Sequence, residues 1–147
     1  MYELQLEAGD TVRSLYLSPE LAAWIDDYLV YQPKDRHKHL EPVEQVFEIL
    51  DRYVKGRAME RSEMKKMEPI GEHVWAFKPQ DVRIFGYFYR PKVFIAVCGE
   101  MKKNLVPTKG KTTNQLYKPF RQKVLNFRDG IDLDQPKYMK EGLHGLV

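Results

Sequence analysis

Three apolar runs separated by two tight breaks constrain this chain more than any other feature. Residues 73–78 carry Val74, Trp75, Ala76 and Phe77. Residues 82–89 read Val-Arg-Ile-Phe-Gly-Tyr-Phe-Tyr, and residues 92–101 read Lys-Val-Phe-Ile-Ala-Val-Cys-Gly-Glu-Met. β-Branched and aromatic side chains dominate all three, a composition that suits a pleated, half-buried surface. The breaks, Pro79-Gln80-Asp81 and Arg90-Pro91, are short enough for hairpin turns. Runs linked this closely pair with their neighbours, so the pattern predicts an antiparallel meander. Alternation sets Arg83, Phe85, Tyr87 and Tyr89 on one face and Ile84 and Phe88 on the other.

The flanks predict helices. Residues 12–17 read as a short strand, and Ser18-Pro19-Glu20 follows as an N-cap, a first-turn proline and a first-turn acid. The helix they open is predicted over 19–30, with Leu21, Trp24, Ile25, Tyr28 and Leu29 on one face. A second helix is predicted over 41–55, where Val43, Val46, Phe47, Leu50, Tyr53 and Val54 recur at helical spacing and Gly56 stands at the C-terminal cap. The basic, Met-rich stretch 57–67 predicts a short third helix or an irregular arm. After a polar loop, a last helix is predicted over 114–128 with Leu116, Tyr117, Phe120, Val124 and Phe127 on one side, and Pro119 predicts a kink or a late start. The tail from about residue 131 is weakly patterned and is expected to be partly mobile. Together these make one α+β domain over residues 1–147.

Charge then narrows the function. Residues 1–60 hold seven Lys or Arg against twelve Asp or Glu, whereas residues 61–128 hold fifteen against five. A segment with ten excess positive charges builds a local potential that suits nucleic acid first and acidic proteins second. One cysteine, Cys98, permits no internal disulfide, the N-terminal residues carry charge where a signal peptide is apolar, and no run approaches the roughly 20 apolar residues of a membrane span. A cytoplasmic protein without a membrane partner is expected. Cys98 sits mid-strand and reads as a small buried hydrophobe. His37 and His39 lie in a Lys-rich loop that discourages a cation, so no metal and no cofactor is expected. Lys109-Gly110-Lys111-Thr112-Thr113 lacks the upstream glycine of a nucleotide-binding loop, so nucleotide hydrolysis is excluded while contact with RNA phosphates stays open.

Four motifs follow one another in order: Met64-Lys65-Lys66-Met67, Val74-Trp75-Ala76-Phe77-Lys78, Val82-Arg83-Ile84-Phe85-Gly86-Tyr87-Phe88, and the run 93–101 leading into Lys102-Lys103. In this order and spacing the segment 64–104 resembles the core of the RelE/HigB superfamily of toxins, particularly the phage-derived HigB-like branch. The resemblance implies a RelE/ParE-like fold: an antiparallel β-meander of three to four strands, with helices before it and one after it. It implies the toxin of a type II toxin–antitoxin system, a metal-independent endoribonuclease acting on ribosome-bound mRNA. The partners it implies are a cognate antitoxin protein, assembled with the toxin and covering the basic face, together with mRNA and the ribosome.

The resemblance places the family's catalytic arginine at Arg83, with Lys78, Lys102 and Lys103 as further catalytic cations. Lys65, Lys66, Lys109 and Lys111 are expected on RNA phosphates, and Phe85 and Tyr87 on bases. Glu63 stands near the place of an acid proposed as general base in some relatives. The sequence also departs from the pattern. Ala76 replaces a glutamate, and Gly99-Glu100-Met101 replaces a hydrophobic pair. Tyr117, Tyr138 and His144 are the remaining choices for a C-terminal catalytic Tyr or His. These departures keep an alternative open: a catalytically degenerate RelE-like module of prophage origin that binds RNA or protein.

Overall fold

The computed structural model describes residues 1–3, 12–108 and 110–147. In chain order the strands are β1 (Tyr2–Glu3), β2 (Ser14–Leu17), β3 (Met64–Lys66), β4 (Trp75–Phe77), β5 (Val82–Arg90) and β6 (Val93–Met101). The helices are α1 (Pro19–Asp27), α2 (Pro42–Val54), α3 (Thr113–Gly130) and α4 (Leu143–Leu146). The class is α+β, built on one mixed sheet of order β1-β2-β6-β5-β4-β3. The sheet is wider than the expected three to four strands and is not wholly antiparallel. β3 to β6 pair antiparallel in sequence order, β2 lies parallel to β6, and β1 runs antiparallel to β2. The stretch expected as a third helix or arm supplies β3, because Met64 is apolar and inward-facing while Lys65 is exposed, an alternation of period two.

Local chemistry explains the helix bounds. The Ser18 side chain accepts from the Leu21 amide and Pro19 opens α1. α1 ends at Asp27, shorter than the period suggested, and Leu29–Tyr31 continue as one 3₁₀ turn. α2 carries a capping box between Glu41 and Glu44 and stops before Gly56, whose φ of +79° only glycine adopts without strain. α3 opens on a second capping box, Thr112 with Gln115, and runs continuously through Pro119.

The sheet is covered on both sides. On one side α1, α2 and α4 close over Leu15, Phe77, Ile84, Phe88 and Phe94. On the other, α3 lies over Phe85, Tyr87, Ile95, Val97 and Cys98. A bulge sets this division: Phe85 pairs with Cys98 but Gly86 pairs with Ala96, so Val97 is extra and both Val97 and Cys98 face α3. Gly86 is required there, because a Cβ on it would lie 2.1 Å from the Ile95 carbonyl oxygen. The tail does not stand apart from the core. The Met139 amide donates to the Phe88 carbonyl at 2.9 Å, the Lys92 amide donates to Leu146 at 2.7 Å, and Leu146 is fully buried. The tail thus takes up the β5 hydrogen-bonding position at Phe88, beyond the end of the shorter β4, and a second one in the turn after β5. Among the described residues, no helix is long and apolar enough to cross a membrane.

Candidate nucleic-acid interface

β3, β4 and β5 bring three cations together at one end of the α3 face. Register pairs Lys65 with Ala76 and Ala76 with Phe85. Two residues further along, on the same face, the same register sets Lys78 beside Arg83. At this corner, against the first turns of α3, lies a cavity of about 370 Å³. Lys65, Lys78 and Arg83 line it with Thr113, Asn114 and Tyr117 from the first turns of α3. Glu68 is the one acidic side chain in that lining, and Lys66, Met67 and Ala76 complete it.

Arg83 is 8% exposed, yet no carboxylate pairs with it among the described residues. Its Nη1 donates to the carbonyls of Pro79 at 2.6 Å and Val82 at 2.8 Å. Its cross-strand neighbour Glu100 turns its carboxylate to the Met101 amide and to Asn104 Nδ2. The guanidinium is therefore held in place while its charge stays uncompensated. A buried cation without an acid is costly unless hydrogen bonds or a counter-charge compensate it.

Lys78 shares this field. Burial, and then the charges of Arg83, Lys65 and Lys102, hold its ammonium below the ordinary lysine range. An anion in the cavity would reverse that shift by compensating the same charges. The α3 terminus adds to the attraction. The Thr112–Gln115 box satisfies two end groups, and the helix dipole presents its positive end at Thr113 and Asn114. Three cations, a helix N-terminus and one exposed acid form a site for a polyanion segment, with Arg83 supplying a planar fork for a phosphate.

The remaining expected residues divide. Lys66 borders the cavity, but its ammonium sits 5.6 Å over the Trp75 ring and donates to the Lys140 carbonyl, on the far side of β3. Lys102 acts on Lys78 only through its charge. Lys103 borders a different hollow with Lys34, Asp35 and Asp81, so it does not join Arg83. Lys111 is exposed, before α3 and apart from the cavity lining, and Lys109 lies outside the described residues. Phe85 and Tyr87 are fully buried, and neither offers a face to a base. Phe85 stacks on Phe120 and meets Tyr117 edge-on, because α3 needs those rings for its own core. Glu63 is tied to Arg52 from α2. Tyr138 lies 3.7 Å over the Arg128 guanidinium and His144 sits in α4, so neither reaches the cavity.

Tyr117, Thr113, Asn114 and Glu68 are the lining residues that the sequence argument under-weighted. The Thr112-x-x-Gln115 spacing marks the α3 terminus that carries three of them. Glu68 carries no comparable signal. Among the described residues, no group of three His, Cys, Asp or Glu side chains is placed to hold a metal ion. Compared with models of protein families, with curated proteins and with solved structures, the chain matches none.

Proposed function

We propose that the protein is a toxin ribonuclease of the RelE/HigB kind, cutting ribosome-bound mRNA without a metal and restrained by a cognate antitoxin. One observation carries the reading: Arg83, Lys78 and Lys65 meet in a single cavity and none of them has an ion-pair partner among the described residues. RNA cleavage of this type has the 2′-hydroxyl attack the adjacent phosphorus while the 5′-oxygen leaves. Extra charge builds on the non-bridging oxygens, and a preorganised donor lowers that barrier most. Arg83, fixed by two carbonyls, is such a donor. Lys78, with its proton already held less tightly than in an ordinary lysine, gives that proton to the leaving 5′-oxygen. Glu68 is the carboxylate within the lining that can take the 2′-hydroxyl proton.

One observation favours a second reading, a module that binds RNA without cutting it. No histidine lines the cavity, and Glu63 is committed to Arg52. The two readings separate under tightly induced expression in bacteria, with mRNA ends mapped by primer extension. The ribonuclease reading predicts growth arrest and new ends with the wild type, and loss of both with Arg83→Ala, a fall in cleavage of about 100-fold or more. Intact mRNA beside salt-sensitive RNA binding would establish the binding module instead.

A further inference from the structure

Lys65, Lys78 and Arg83 lie on one face of neighbouring strands, but not in one row. The Lys78 amide donates to the Glu63 carbonyl at 2.7 Å, so Lys78 stands opposite Glu63 on one side and Arg83 on the other. Lys65 is two residues beyond Glu63, in the row of Ala76 and Phe85. With strands about 4.8 Å apart and a rise of about 3.4 Å per residue, the Cα of Lys78 is about 5 Å from that of Arg83, and the Cα of Lys65 about 12 Å from it. The guanidinium widens that gap. It donates to the Pro79 carbonyl, in the turn between β4 and β5, and Lys65 lies the other way along the sheet.

One phosphate does not serve this arrangement. Seated on the fixed Arg83, it has Lys78 in the next strand and Lys65 two strands away. Charge gives the same count. The three cations meet one carboxylate in the lining, Glu68, and the Lys66 ammonium is turned to the Trp75 ring and the Lys140 carbonyl. The surplus is two positive charges, and each phosphodiester brings one negative charge. Lys78 stands between the two ends, since its ammonium feels the charges of both Arg83 and Lys65. The cavity of about 370 Å³ is of the size that holds a small organic ligand, larger than a lone phosphate group. We propose that the site takes two successive phosphates of one RNA strand, one on Arg83 and Lys78 and the next on Lys65, so that its smallest full ligand is a nucleotide phosphorylated on both sides. This rests on the reading of the same cavity as an RNA-phosphate site and adds its substrate class, the interior of a chain and not its end. Lys65 is thus a specificity residue that reads chain continuity and no base.

The test is a calorimetric titration of the full chain at low salt with adenosine 3′-monophosphate, adenosine 3′,5′-bisphosphate, inorganic phosphate and pyrophosphate. The wild type is expected to bind the bisphosphate about tenfold more tightly than the monophosphate, the worth of one charge-assisted contact. Lys65 is exposed, so its replacement leaves the core intact. Lys65→Ala is expected to bring that ratio near one, and Lys65→Arg to keep it. Pyrophosphate holds its two phosphates on a single bridging oxygen, too close together to span the site. Its affinity relative to inorganic phosphate is expected to be indifferent to Lys65→Ala. A bisphosphate ratio near one in the wild type, a ratio that survives Lys65→Ala, or a pyrophosphate ratio that falls as far as the bisphosphate ratio overturns the two-phosphate site and leaves the phosphate site at Arg83 standing. Failure of all four ligands to bind overturns both.

Discussion

The two faces of the sheet are covered by helices of similar kind but to different ends. On the α1/α2 face the buried strand positions from Leu15 to Met101 are apolar, and Tyr53, Phe77 and Phe94 interlock edge to face. On the α3 face the cover stops short. Beyond Phe85 and Ala76 the next inward positions are Arg83 and Lys78, and the helix terminus meets them with its positive end. A face that is apolar to its edge can only be core. A face that ends in unpaired cations under a helix N-terminus leaves positive charge open to an anion.

The comparison can be broken first at the sealed face. Leu50 is fully buried in α2. Leu50→Ala is expected to cost about 4 kcal/mol in urea unfolding through lost burial and a residual cavity. Gly86→Ala, which drives a Cβ against the Ile95 carbonyl, is expected to cost about 3 kcal/mol because backbone must move. Val124→Ala under α3 should cost about 2 kcal/mol, the smaller loss matching the two carbons removed. If Val124→Ala proved as costly as Leu50→Ala, the α3 face would be as tightly determined as the other.

Smaller effects sharpen the contrast at the cavity. Lys65→Ala is expected to weaken RNA binding evenly across sequences and to lower the salt slope by about one. Lys55→Ala, which removes a cation already paired with Asp51 on α2, should leave that slope unchanged. Lys78 gives a pH test. Its folded pKa lies below the ordinary 10.5, so the fold disfavours its charged form. The penalty is complete below the folded pKa and vanishes above 10.5. Relative to Lys78→Met, the wild type should therefore gain stability as pH rises through that interval. A stability difference that stays flat across the interval would mean that neither burial nor the charges of Arg83, Lys65 and Lys102 act on Lys78.

Much of the fold was legible because period and punctuation agree. The 3.6-residue spacing of α2 and the Pro-marked breaks around β5 are local signals, and both elements lie where they place them. Arg83 was legible for a related reason: a charge inside an apolar strand asks for a partner. β1 against β2, β2 against β6 and the tail beside β5 were not legible, since pairings distant in sequence leave no local trace. The same gap hid which lysines meet. Lys65 and Lys66 are adjacent in the chain, yet the pleat sends them to opposite sides of β3. Lys102 and Lys103 part at the 3₁₀ turn after β6: the charge of Lys102 is felt at Lys78, while Lys103 borders the hollow beside Asp81. The aromatic pair Phe85 and Tyr87 shared the right face, but α3 had first claim on it.

RNA binding at the corner of the α3 face lined by Arg83, Lys78 and Lys65 is read out by titrating ¹⁵N-labelled protein with a short single-stranded RNA at low and at high salt, following backbone amides and arginine Nε signals. The account predicts shifts concentrated on Lys65, Lys78, Arg83 and residues 113–117, withdrawn as salt rises, with α1 and α2 unmoved. Shifts gathered on the α1/α2 face, or none at low salt, would contradict it.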